Sequence, residues 1–247
     1  MRILISNDDG YQAKGIKYLT DALSEIAEVI VVAPSENKSA ASSSLTIGKP
    51  LKPFKVENNI YAIDATPSDC VHLAVCGFIK EPVDLVVTGI NFGANLGDDV
   101  IYSGTVAGAI EGRFLGLPSI AISLASWDGN HFETAAAIAK QLVQQIDKAP
   151  LSHNTIINVN VPDVPLNEVK GIKSTRLGNR HMSEPSIQDK DDPSLYWIGE
   201  NGQEADNGEG TDFHAIANGY VSVTPLQIDL TKYNEVQQVS DWLEQID

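Results

Sequence analysis

Short apolar runs alternate with amphipathic stretches along the first part of the chain. Residues 2–6, apolar at 3–5, and the continuous apolar run at 29–33 are typical of strands covered on both faces of a sheet. Between them, residues 16, 19, 23 and 26 place Ile and Leu on one helical stripe. This strand, helix, strand order predicts a parallel β-α-β unit.

The alternation continues to about residue 160. Further strands are predicted at residues 84–89, 119–123 and 155–161, and further helices at 67–78, 105–111 and 132–146. Thr66 followed by Pro67 is typical of a helix N-cap and first turn. Residues 51–56 and 60–63 flank Asn58-Asn59 and predict a hairpin outside the regular alternation. Residues 1–165 are therefore expected to form a three-layer, Rossmann-like α/β core with a mostly parallel sheet.

Beyond Pro165 the pattern changes to isolated strands separated by a long polar segment. Residues 183–212 hold nine acidic side chains and one basic side chain, Lys190. A strand at 219–226 and a helix at 236–246 follow. Residues 166–247 are expected to form a β-rich C-terminal extension, an oligomerisation arm that exchanges between subunits and whose strand and helix pack on the core.

Charge and apolar content narrow the range of partners. The chain carries 17 Lys and Arg against 33 Asp and Glu, a formal net charge of −16, which disfavours binding to a nucleic acid polymer. No apolar run reaches the roughly 20 residues needed to span a membrane, and the N-terminal run is too short for a signal peptide, so a cytoplasmic location is expected. Cys70 and Cys76 are expected to be buried free thiols.

Two adjacent carboxylates follow the first predicted strand. Asn7-Asp8-Asp9-Gly10 stands where open α/β sheets place their ligands. Repulsion between Asp8 and Asp9 would be relieved by a hard cation such as Mg²⁺ or Mn²⁺. An ordinary polar Asp-Gly turn is an equally good interpretation of this motif alone.

Two further loops are expected at the same edge of the sheet. Residues 35–44 are rich in Ser and include Ser39, whose hydroxyl could join an oxygen-only metal site, although a solvated Ser-rich loop is the commoner interpretation. Residues 89–97 are rich in Gly and carry Asn91 and Asn95, which can coordinate or donate. The alternative is a loop whose Gly and Asn tolerate left-handed conformations.

Ser103-Gly104-Thr105 begins the helix predicted to run through residue 111. Backbone N–H groups, two hydroxyls and the positive end of the helix dipole would converge there and suit a phosphate. A simple Ser or Thr cap is the alternative. The chain lacks a P-loop, a dinucleotide-binding Gly-x-Gly-x-x-Gly after the first strand and a Gly-x-Ser-x-Gly elbow.

In this order, the motifs resemble those of the SurE (survival protein E) family of metal-dependent nucleotidases. The resemblance rests on residues 7–10, 34–46, 89–95 and 102–106, and it continues through 175–178, 195–199, 210–213 and 219–226. One departure is Asp192-Pro193-Ser194-Leu195, where family members often carry Asp-Pro-Arg-Gly; it leaves the metal site untouched.

The resemblance implies a function and a set of site residues. The family's metal ligands fall on Asp8, Asp9, Ser39 and Asn95, and its phosphate site falls on Ser103, Gly104 and Thr105. The implied activity is hydrolysis of nucleoside 5′- and 3′-monophosphates and short polyphosphate, with one divalent ion, Mg²⁺ or Mn²⁺, per subunit of a homodimer or homotetramer.

We hypothesise that Asp8, Asp9 and Asn95 serve catalysis through this ion, which would polarise the phosphoryl group and orient water. The main alternative is a non-catalytic Mg²⁺-binding phospho-switch or nucleotide-binding module. A receiver-like switch needs an acceptor Asp after its third parallel strand, where this chain has Thr88-Gly89-Ile90-Asn91. A haloacid-dehalogenase-type phosphatase needs a second Asp where Gly10 stands.

Overall fold

The chain builds one large twisted sheet and two short hairpin-like pairs. A computed structural model describes residues 1–150, 152, 155–199 and 201–246. The strands are β1 (Arg2–Ser6), β2 (Glu28–Pro34), β3 (Phe54–Glu57), β4 (Ile60–Ile63), β5 (Leu85–Phe92), β6 (Ser119–Leu124), β7 (Ile156–Val161), β8 (Ile172–Ser174), β9 (Asn179–Arg180), β10 (Ile187–Gln188), β11 (Tyr196–Trp197), β12 (Glu204–Asp206) and β13 (Val221–Leu226). The helices are α1 (Lys14–Ser24), α2 (Pro67–Leu73), α3 (Gly104–Phe114), α4 (Phe132–Lys148), α5 (Asp212–Ala217) and α6 (Val236–Leu243).

Nine of these strands form the main sheet, in the order β3-β4-β2-β1-β5-β6-β7-β13-β8. The six strands from β4 to β7 run parallel to one another, whereas β3 and β13 pair antiparallel to their neighbours β4 and β7. This arrangement confirms the predicted α/β class with a mostly parallel sheet.

Alternation along the buried strands divides the core into two faces. Ile3 and Ile5 of β1 pack in one apolar cluster with residues of α1 and α4. Leu4, which points to the opposite face, packs in a second cluster with residues of α2. On that second face α3 contacts α2 and packs over β5 and β6. Helices thus cover both faces, and the predicted three-layer architecture is confirmed.

Two local predictions are wrong. The hairpin at β3 and β4 exists, but β4 pairs in parallel with β2, so the hairpin extends the main sheet because β2 offers it a free edge. Cys70 is buried as expected, whereas Cys76 is exposed. The helix that begins at Pro67, after a Thr66 capping box, continues as a π-helical turn over Ala74–Phe78, in which only Ala74 is buried.

The segment after residue 165 contributes to the main sheet and also forms the polar arm. β13 and β8 continue the sheet beyond β7, while β9 pairs with β12 and β10 pairs with β11 outside it. The division at residue 165 and strand exchange between subunits stay predictions. Within the described residues, the helices are too short or too polar to cross a bilayer.

Candidate active site

The three predicted loops meet at the carboxyl edge of the sheet. Parallel strands end on the same side, so the segments after β1, β2 and β5 emerge together there. The backbone N–H of Lys38 donates to the Asp8 carbonyl at 2.7 Å, and that of Ser42 donates to the Tyr102 carbonyl at 3.2 Å. These bonds tie the serine-rich loop to the acidic pair on one side and to the start of α3 on the other.

A cavity of about 210 Å³ lies where these loops meet. Asp8, Ser39, Asn95 and Ser103, four of the predicted site residues, line it together. Asp9 instead lines a neighbouring cavity of about 260 Å³. Phe92 borders both cavities.

Asp8 is buried against the N-terminus of α3. The Thr105 hydroxyl donates to Asp8 Oδ1. A Cβ atom on Gly104 would lie 2.8 Å from Asp8 Cβ, so only a glycine lets the carboxylate approach the helix this closely. Burial raises the pKa of Asp8 above its ordinary value, against hydrogen bonds from Thr105 and nearby backbone amides that lower it. The helix dipole also favours a negative charge at this position.

Asp9 is held less tightly than Asp8. Its Oδ2 accepts a hydrogen bond from the Phe92 backbone N–H at 3.2 Å. Burial and repulsion from the Asp8 carboxylate together raise the pKa of Asp9 to about 6. Two carboxylates that penalise each other's ionisation in this way are an electrostatic setting that favours a cation.

Asn95 is fixed by a buried polar network. Its backbone N–H donates to Asn160 Oδ1 at 2.8 Å, and its carbonyl accepts from the side-chain amides of Asn158 and Asn160, each at 2.9 Å. The Asn95 side-chain amide donates to Ser123 Oγ at 2.8 Å, so Oδ1 is the atom of that side chain that could coordinate a cation.

The three residues predicted to bind phosphate at the start of α3, Ser103, Gly104 and Thr105, have different roles in the structure. Ser103 Oγ accepts from the Val106 backbone N–H at 3.0 Å and is therefore the helix cap, yet its own proton remains available for donation into the cavity. Gly104 makes room for Asp8, and the Thr105 hydroxyl is engaged by Asp8.

The chemistry of the donor set fits a hard divalent cation. Asp8, Ser39 and Asn95 bring carboxylate, hydroxyl and amide oxygens to one cavity. Asn7, which precedes Asp8 in the chain, has a buried Oδ1 without a hydrogen-bond partner among the described residues. In the same part of the chain, no three His, Cys, Asp or Glu side chains converge on a point, so a cation here would rely on neutral oxygens as well.

Sequence reasoning missed the residues that support Asn95. Asn158 and Asn160 interrupt the otherwise apolar strand β7, and both are fully buried. Polar side chains at core positions of a central strand are unusual, and that irregularity is the signal that could have found them.

Comparison with known proteins places this architecture in one family. Residues 3–184 match the family model described as Survival protein SurE. The chain is 75% identical to the 5′-nucleotidase SurE of Ruthia magnifica, with all of both chains covered. It is 56% identical to the 5′-nucleotidase SurE of Nitrosococcus oceani, with 100% of this chain and 99% of that protein covered.

A solved structure has the same fold. The crystal structure of the SurE protein from Aquifex aeolicus superposes with a TM-score of 0.88 at 42% identity, covering 99% of this chain and 100% of that one. Family model, full-length relatives and fold agree, and the chain belongs to the SurE family.

Proposed function

We propose that this protein is a divalent-metal-dependent phosphohydrolase that removes phosphate from nucleoside 5′-monophosphates. The observation that carries the proposal is the convergence of Asp8, Ser39, Asn95 and Ser103 on one cavity. The full-length relatives named 5′-nucleotidase SurE support the same activity. Nucleoside 3′-monophosphates and short polyphosphate are proposed as further substrates, since recognition at this cavity centres on the phosphoryl group.

One divalent ion per subunit, Mg²⁺ or Mn²⁺, is proposed to be held by Asp8, Asp9, Ser39 and Asn95. When bound, such an ion polarises a phosphoryl oxygen and makes water a better nucleophile.

The protein's own residues then supply position and charge. Asp8 is immobilised by Thr105 and Gly104, and Asn95 is immobilised by β7, so two of the proposed ligands keep their positions without a substrate. The Ser103 hydroxyl, fixed as the cap of α3, can donate to a phosphate oxygen.

The test is phosphate release from a panel of nucleoside monophosphates. We expect release that EDTA abolishes and Mn²⁺ or Mg²⁺ restores. Asp8→Asn should lower turnover about a thousandfold, because it removes one of the proposed ligand carboxylates. Asp147→Asn, which changes an exposed carboxylate on α4, is the matched control and should keep full activity.

Two results would contradict the proposal. One is activity that survives EDTA or the Asp8→Asn substitution. The other is a folded protein that releases no phosphate from any monophosphate with any metal; this would favour the phospho-switch or nucleotide-binding alternative. At the end of β5, where a receiver-like switch needs its acceptor Asp, this chain has Asn91, whose side chain donates to the Gly93 carbonyl at 2.8 Å.

A homodimer or homotetramer is proposed from the exposed apolar side chains of the C-terminal segment. Ile187, Trp197 and Ile198 on the arm, and Val239 and Trp242 on α6, are all exposed in the single chain. Light scattering on the purified protein tests this assembly, and a monomer at micromolar concentration would contradict it. The cytoplasmic location stays a prediction.

A further inference from the structure

A tryptophan stands at the mouth of the cavity that holds Asp8, Asn95 and Ser103. Trp127 lines this cavity although 77% of its surface is exposed. It lies in the loop after β6, at the same carboxyl edge of the sheet as the proposed ligands. A large apolar ring kept in water beside a polar cavity costs solvation free energy that a ligand can recover.

The indole ring is held in place by the loop that carries Asn95. A Cβ atom on Gly93 would lie 2.8 Å from two carbons of the Trp127 six-membered ring, so the ring packs directly against the Gly93 backbone. Gly93 has a φ of +113°, a conformation that other residues rarely adopt. The indole is thus positioned relative to the proposed metal site by a close contact that a side chain at position 93 would prevent.

The cavity is too small to enclose a whole nucleotide. A volume of about 210 Å³ falls below the range of about 300–1,000 Å³ that encloses a whole small ligand. The polar groups inside it are those that suit a phosphate and a cation. A nucleobase attached to that phosphate must therefore lie outside, at the mouth, where Trp127 is exposed.

We propose that Trp127 is the stacking platform for the nucleobase of the substrate; this deepens the proposed nucleotidase function and rests on it. Every base has a π-face, and an indole is the largest aromatic surface a protein can offer to it. The platform favours purines over pyrimidines, because a purine covers more of the indole, and it is indifferent to a sugar phosphate without a base.

Steady-state kinetics of two matched substitutions test the platform. Trp127→Leu should raise the KM for AMP about tenfold, raise that for CMP less, and leave that for ribose 5-phosphate and all kcat values unchanged. Phe114→Leu removes an aromatic ring that is 61% exposed at the C-terminal end of α3 and should change none of these values. Trp127→Phe, which keeps a smaller ring, should give an intermediate KM for AMP.

Two kinetic results would overturn the platform. An equal rise in KM for ribose 5-phosphate would show that the loss is not a loss of base recognition. The platform would also be overturned if Tyr102→Leu, at another exposed aromatic ring of the cavity, produced the purine-dependent loss and Trp127→Leu did not.

Binding of adenosine, which carries no phosphate, separates this inference from the nucleotidase function. Adenosine should quench tryptophan fluorescence in the unmodified protein and in Phe114→Leu, but not in Trp127→Leu. Unchanged quenching in a folded Trp127→Leu variant would overturn the inference. Quenching that depends on Trp127 in a protein that releases no phosphate would support the platform while the nucleotidase proposal fails.

Discussion

The carboxyl edge of the sheet and the acidic part of the arm, residues 183–212, are both rich in polar side chains, but these side chains differ in burial and in how far along the chain their hydrogen-bond partners lie. At the edge, Asp8, Asn95 and Asn160 are buried, and each bonds to a partner distant in sequence. On the arm, Asp189 is half-buried and accepts from its close neighbours Asp191, Asp192 and Trp197. The exposed Asp192 accepts from Ser194, two residues away.

A single chain therefore completes the polar site at the edge of the sheet, whereas it does not fix the polar side chains of the arm in the same way. A buried polar group that is hydrogen-bonded is fixed in one position by its partners, as a binding site requires. Exposed acids in local turns can form their bonds in almost any setting of the arm. The apolar side chains that the arm leaves exposed are consistent with the assembly proposed for it.

The largest effect in this comparison is expected at Gly104. In Gly104→Ala the new Cβ would lie 2.8 Å from Asp8 Cβ and 2.9 Å from Asp8 Oδ2, so the carboxylate must move. We expect phosphate release to fall about a hundredfold, because a displacement of about 1 Å at a reacting group costs that much. Gly48→Ala, where no atom lies within 4 Å of the new Cβ, is the control. Full activity in Gly104→Ala would contradict the inference that activity depends on the close approach of Asp8 to α3.

The network behind Asn95 should show a smaller effect, measurable in stability and in metal binding. Asn160→Ala removes two hydrogen bonds: the one that Asn160 Oδ1 accepts from the Asn95 N–H and the one that Asn160 Nδ2 donates to the Asn95 carbonyl. We expect the free energy of unfolding in urea to fall by about 2 kcal/mol, because a buried N–H loses its partner. Mn²⁺ affinity by calorimetry should fall about tenfold, since Asn95 is no longer fixed.

Asn158→Ala is the matched comparison within the same strand. It removes one bond to the Asn95 carbonyl, and its own Oδ1 already lacks a partner, so both losses should be smaller than in Asn160→Ala. Unchanged metal affinity in Asn160→Ala would show that the network serves folding alone.

The junction between arm and core rests on Arg180. Its Nε and Nη2 donate to Asp99 Oδ2 at 3.0 and 2.8 Å, and Asp99 also lines the cavity. Arg180→Gln should loosen the arm at a cost of about 1 kcal/mol and speed its cleavage in limited proteolysis. Arg176→Gln breaks a more exposed pair with Asp206 and should speed cleavage less. Equal cleavage in both variants would contradict this assignment.

The smallest expected effect is on the free energy of unfolding, and it compares Asp163 at the edge of the sheet with Asp189 on the arm. Burial opposes ionisation of Asp163, but hydrogen bonds from the His131 backbone and ring and from the Asn130 backbone keep its pKa below the ordinary value. The unfolded chain therefore binds its proton more readily, and Asp163 stabilises the fold above about pH 4, an effect lost as the pH falls through its lowered pKa.

Asp163→Asn should accordingly lower the free energy of unfolding at pH 7 by less than about 1 kcal/mol, and the difference from the unmodified protein should be smaller at pH 3. Hydrogen bonds from Asp192, Trp197 and Asp191 lower the pKa of Asp189 too. Asp189→Asn should nevertheless leave the free energy of unfolding unchanged at either pH, because we expect the arm to unfold locally, before the core. Urea titrations at both pH values measure this. An equal loss in both variants would mean that arm and core unfold together.

Local patterns were sufficient for most of the fold. The apolar runs of β1, β2, β6 and β7 and the helical stripe of α1 were predicted to within a few residues, because burial on both faces or on one stripe dictates the residue types. The segment after residue 84 was harder: β5 continues through Gly89 to Phe92, although its glycine suggests a loop. Helix α5 was missed because six residues are too few to show a helical period.

The sequence by itself determined the order of strands and helices, and with it the edge where Asp8, Ser39, Asn95 and Ser103 would meet, because parallel strands carry their following loops to one side. Only the tertiary structure decided that Thr105 donates a hydrogen bond to Asp8, that Asn160 fixes Asn95, and that Trp127 lies at the mouth of the cavity. These contacts join positions far apart in the chain, and no local spacing encodes them; they exist only once the packed sheet brings the loops together.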